Sequence, residues 1–150
     1  MKKLVLLSLI LFILLSGCLD IEPKLSYLDE TKSGGTLTLY KLTFGTYLGE
    51  AMESAAAQDK PVFVYFRSES CGWCKQFEEE TFNNNTAVSK LNQDFVIVSI
   101  DVNTQKEETR DFRIRGTPAS VFLYPNGTEI SRIPGYIDTE SFIMRMDEIV

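Results

Sequence analysis

Val62-Phe63-Val64-Tyr65-Phe66 restricts the fold more than any other stretch of the chain. A strand points successive side chains to opposite faces, so a run that is apolar at every position needs cover on both sides. A central parallel strand of a sheet with helices on each face meets that need. Phe95 to Ile100 is a second run of this kind, and Ala119 to Tyr124 reads as a third strand. Thr36 to Leu42 alternates polar and apolar residues, which predicts a first strand at that end. Thr46 to Gln58, rich in Ala, Met and Glu, reads as a helix ended by Asp59-Lys60-Pro61. Cys71 to Phe82, Thr86 to Leu91 and Thr104 to Phe112 read as further helices. Pro125-Asn126-Gly127 is a turn, with Thr128 to Ile133 returning as a hairpin partner. Asp138 can cap a last helix whose apolar residues Phe142, Ile143, Met146, Ile149 and Val150 form one buried stripe. The order β-α-β-α-β-α-β-β-α predicts an α/β fold, a mixed central sheet flanked by helices.

The N-terminus follows a different logic. Lys2 and Lys3 precede a nearly unbroken apolar run from Leu4 to Leu15, about the length of a signal segment and short for a membrane span. Leu15-Ser16-Gly17-Cys18 follows, and it resembles the lipobox of prokaryotic lipoproteins. The resemblance implies cleavage before Cys18 and lipidation of its thiol. The expected division is a signal peptide over 1–17, a lipid anchor and linker over 18–35 ending in Gly34-Gly35, and a folded domain over 36–150. An uncleaved signal anchor is the alternative. Either way the domain is expected outside the cytoplasm, on the outer face of the cell membrane.

Composition removes several classes of function. The formal charge is −6 with no basic block, which argues against nucleic acid as a partner. There is no histidine, so imidazole acid–base chemistry and the commonest metal ligand are both missing. Of the three cysteines, Cys18 is claimed by the lipobox, leaving Cys71-Gly72-Trp73-Cys74 just past a buried strand and at a helix start. Helix N-terminal amides favour thiolate over thiol and lower a cysteine's pKa to roughly 7 or below in such motifs. Cys71 is then the nucleophile and Cys74, one turn further in, the resolving thiol. A zinc site would need about four ligands, more than this chain offers there. A purely structural disulfide is the other alternative, although so small a ring constrains little of the unfolded chain.

The stretch Val62 to Lys75, ending Cys-Gly-Trp-Cys-Lys, resembles the strand, loop and helix of the thioredoxin superfamily. Ile114-Arg115-Gly116-Thr117-Pro118 ahead of an apolar strand is a second match, and Asn126-Gly127 with Gly135-Tyr136 a third. The similarity covers about Thr46 to Val150 and implies a thioredoxin-like three-layer α/β/α sandwich. It also implies that Pro118 carries a cis peptide bond beside the cysteines and that Thr117 offers its backbone to an extended substrate. Trp73 is expected to cap the disulfide and touch substrate, with Gly72 and Lys75 as supporting positions. The resemblance implies thiol–disulfide exchange without a cofactor or metal. The expected direction is reduction of disulfides in exported proteins, recharged by a transmembrane thiol carrier. An oxidase or isomerase is the alternative, and a non-catalytic binding module another.

The chain departs from the superfamily in the active-site strand. Thioredoxins keep a buried aspartate where this chain has Tyr65, and its lysine partner aligns with Ile97. Glu69, two residues before Cys71, is the candidate substitute for that proton acceptor. Glu78, Glu79 and Glu80 read as a solvated helix face.

Overall fold

The computed structural model describes residues 34–150. The expected signal peptide over 1–17, Cys18 and most of the linker lie outside these residues. Among the described residues no helix is long and apolar enough to cross a membrane.

The chain forms β1 (Thr36–Leu39), β2 (Leu42–Gly45), α1 (Leu48–Gln58), β3 (Val62–Arg67), α2 (Gly72–Thr81) and α3 (Asn85–Asp94). Then follow β4 (Val96–Asp101), α4 (Lys106–Asp111), β5 (Ala119–Leu123), β6 (Glu129–Pro134) and α5 (Thr139–Asp147). The sheet order is β1-β2-β4-β3-β5-β6. β3 runs parallel to β4 and antiparallel to β5, so the sheet is mixed and β3 lies inside it with all six residues buried.

The alternation of β3 divides the core. Val62, Val64 and Phe66 face α1 with Leu48, Ala51 and Ala55. Phe63 and Tyr65 face the other layer, against Phe77 of α2, Leu91 of α3 and Phe142 of α5. That second layer is aromatic: Phe63 lies 5.3 Å from Phe122 and 5.5 Å from Phe142, ring centre to ring centre. Burying each such ring contributes about 1.5–3 kcal/mol. These are the three layers that the superfamily resemblance implied.

Three expectations need correction. Thr36 to Leu42 is not one strand; Tyr40, at φ 53°, turns the chain so that β1 and β2 pair as a hairpin. The stripe on the last helix is shorter than expected. Phe142 and Met146 are buried, but α5 ends at Asp147 and Val150 is exposed. Gly34 and Gly35, assigned to the linker, are tied to the domain: Gly34 N–H donates to Glu50 Oε1 and Gly35 N–H to Thr46 Oγ1.

Asp138 caps α5 as expected, its carboxylate accepting from the Ser141 amide. That bond, the largest cause, holds the Asp138 carboxyl below the usual range.

Candidate active site

β3 ends at Arg67, and a short turn through Ser68, Glu69 and Ser70 delivers Cys71 to the N-cap of α2. The Cys71 amide donates to Ser68 O at 3.2 Å and closes the turn. Cys71 takes the place of the usual Ser or Asp cap: its sulfur accepts the Cys74 amide at 3.0 Å. The same amide would stabilise a thiolate on Cys71 through charge-assisted hydrogen bonding at the positive end of the helix. Cys71 and Cys74 form a disulfide with Cα atoms 5.2 Å apart. Cys74 is fully buried, whereas Cys71 is half-buried. An incoming sulfur therefore reaches Cys71 first.

Trp73 is 61% exposed beside the pair. It packs on Tyr136 in the loop after β6, with ring centres 5.4 Å apart. The Tyr136 hydroxyl donates to Glu80 Oε2, which holds Glu80 below the usual carboxylate range and raises the phenol. Tyr136 is a site residue with no role assigned from the sequence beyond its place with Gly135 in the third family match. Gly72 and Lys75 are both exposed, and a Cβ on Gly72 would meet nothing within 4 Å.

The Thr117–Pro118 peptide bond is cis, with Pro118 buried and Thr117 half-buried. β5 pairs antiparallel with β3, setting Ala119 opposite Phe66. The start of β5 and the end of β3 therefore lie together at one sheet end, which brings the Thr117–Pro118 loop to the loop bearing Cys71. The Gly135 amide donates to Pro118 O at 2.8 Å and draws the Tyr136 loop to the same end.

Beneath the pair, Glu78 contradicts the solvated-face reading. It lies four residues after Cys74 on the same side of α2 and is only 4% exposed. Arg67 Nε contacts Glu78 Oε1 at 2.7 Å, and the Tyr65 hydroxyl donates to the same oxygen at 3.1 Å. Tyr65 and Arg67 are two apart on β3 and so share a face, the one turned to α2. Burial first, then the negative charge of Glu78 and its hydrogen bond, push the Tyr65 phenol far above its ordinary range, against a smaller opposite pull from Arg67. Glu79 and Glu80 are exposed as expected. Glu69 is exposed too, with no hydrogen bond or ion pair of its side chain among the described residues. The buried carboxylate near the cysteines is Glu78.

Residues 48–149, more than half of the chain, match the family of the thioredoxin-like domain. The chain belongs to that family. The structure of this thioredoxin-like domain is similar to a thioredoxin from Thermus thermophilus, with TM-score 0.63 and 31% identity, covering 69% of this chain and 83% of that one. The oxidised C-terminal domain of DsbD from Neisseria meningitidis shares the fold, with TM-score 0.59 at 23% identity over 67% of this chain and 91% of that one. In sequence, the thiol:disulfide interchange protein DsbD of Campylobacter jejuni strain RM1221 is 27% identical over 92 residues, 59% of this chain. Only 16% of that relative's own length is matched. Relatives of this domain thus include thiol:disulfide interchange proteins, and the cysteine pair is present here as a disulfide.

Proposed function

We propose that this protein is an extracytoplasmic, membrane-anchored thiol–disulfide oxidoreductase that reduces disulfides of exported proteins. The observation that carries the reading is the disulfide at the start of α2, with Cys71 half-buried at the surface and Cys74 fully buried. In the reduced protein the Cys71 thiolate attacks one sulfur of a substrate disulfide. A mixed disulfide forms and the other substrate sulfur leaves as a thiolate. Cys74 then loses its proton and attacks Cys71, closing the protein disulfide and releasing the second substrate thiolate. Two electrons and two protons pass to the substrate, and a dithiol donor must return them. A transmembrane thiol carrier suits that role.

Thr117 holds the substrate backbone by short β-pairing, while Trp73 covers one side of the reacting sulfurs. The exposed Trp73 ring and the adjoining Tyr136 support this reading. Backbone pairing selects little for side chains, which suits a reductase that serves many partners.

Placement outside the cytoplasm rests on the lipobox resemblance at Cys18, for which the chain offers a direct test. Expressed in bacteria with labelled fatty acid, the protein should carry label, and Cys18→Ser should lose it. The mature mass should lack residues 1–17. A mature protein that retains Met1 and an unmodified Cys18 would refute the anchor.

A further inference from the structure

Beside the Thr117 loop lies a groove of about 410 Å³ that the exchange chemistry leaves unused. Its floor is apolar, with Ile114, Ala119 and Val121, and its rim carries Arg113, Arg115 and Arg132. Arg132 is already committed: Nε donates to Glu129 Oε1, Nη1 donates to Phe112 O at 3.0 Å, and the guanidinium pairs with Glu129. It forms a fixed wall between β6 and the loop after α4. Arg113 and Arg115 are exposed, and neither side chain has an ion pair or hydrogen bond among the described residues. On a chain of net charge −6, two unpaired cations on one groove stand out as a local reversal of sign.

The backbone sharpens the point. Arg113 has φ 54°, the left-handed conformation at the end of α4, and the Ile114 amide reaches back to Thr109 O at 2.9 Å. Glycine is the residue that such a helix stop favours. An arginine here costs backbone energy and places a cation on the rim.

We propose that this groove is an extension of the substrate site, which selects polypeptide segments carrying an apolar side chain and one or two carboxylates a few residues from the reacting cysteine. The proposal rests on the reading of Cys71 as the exchange site and Thr117 as the pairing position. The groove is continuous with Thr117 and Gly116, both of which line it. A substrate strand paired at Thr117 advances about 3.3 Å per residue, so an acid three or four residues from its cysteine comes to the arginines. The apolar floor takes the neighbouring side chain, and the carboxylate answers the free charges.

The test uses the full chain, reduced beforehand, and a set of single-cysteine peptides held as mixed disulfides with thionitrobenzoate. Each peptide carries a Glu pair or a Gln pair three and four residues before or after the cysteine. Release of the chromophore gives the second-order rate constant. On one side of the cysteine the Glu peptide should react about five- to tenfold faster than its Gln twin, an advantage that shrinks in 0.5 M salt. Arg113→Gly with Arg115→Gln should bring the two rates level. Because Arg113→Gly relieves the left-handed residue, the variant's thermal midpoint should not fall, which separates lost charge from lost fold. Equal rates for Glu and Gln on both sides in the natural protein, or a preference that survives in the variant, would overturn the groove proposal alone. No reaction with any peptide would overturn the exchange reading and the groove with it.

Discussion

Cys74→Ser should turn the protein into a trap that accumulates mixed disulfides through Cys71, whereas Cys71→Ser should trap almost nothing and lose turnover by roughly 10³-fold or more. The reason is geometric. The sulfur of Cys71 is the one an incoming sulfur can reach, and it accepts the Cys74 amide at the helix start. Cys74 is fully buried, so it meets only Cys71. Without Cys74 the mixed disulfide has no internal thiol to resolve it. Non-reducing gels and mass spectrometry of the captured species read the result. Equal capture by both variants, or faster alkylation of Cys74 than of Cys71 in the reduced protein, would reverse the assignment.

Arg67→Met should destabilise the domain by about 3–5 kcal/mol, as expected when a buried ion pair loses one partner. The side chains of Arg67 and Glu78 are only 10% and 5% exposed, so solvent cannot take over the stranded carboxylate. The remedy is to remove the whole polar group. In Tyr65→Phe/Arg67→Met/Glu78→Met no buried charge and no unpaired phenol remain, and most of the loss should be recovered. Denaturant unfolding of the three proteins, natural, single and triple, makes the comparison. A single variant within about 1 kcal/mol of the natural protein would mean that Glu78 finds water or another partner. The contrast also bears on function, since the triple variant restores the fold yet leaves Cys74 over an apolar floor. A drop in exchange rate in that stable variant would tie Glu78 to the chemistry above it.

The strands that set the fold were legible because burial on both faces leaves a nearly continuous apolar signature, interrupted in β4 by Ser99. Val62 to Phe66 and Phe95 to Ile100 could be read without knowing their neighbours. The β1–β2 hairpin was missed: the alternation of Thr36 to Leu39 loses its phase at Lys41-Leu42, but a tyrosine in the left-handed region is not a residue that announces a turn. Glu78 was misread for a related reason. Three successive glutamates on a helix normally face water, and it takes Tyr65 and Arg67, on another element, to make one of them a core residue. Cys71, Cys74 and the Thr117–Pro118 loop were legible because they are local patterns with local chemistry. Tyr136 and the groove rimmed by Arg113 and Arg115 were not, because they exist only once β5, β6 and the loop after α4 are assembled.

The central claim concerns electron flow, and the reduction potential of the Cys71–Cys74 couple tests it most directly. Trp73 is the chain's only tryptophan and lies within the motif, so its fluorescence can follow the couple through defined thiol–disulfide buffers. A reductase of exported proteins should give a value near about −270 mV, whereas a value near about −120 mV would make the protein an oxidant and contradict the account.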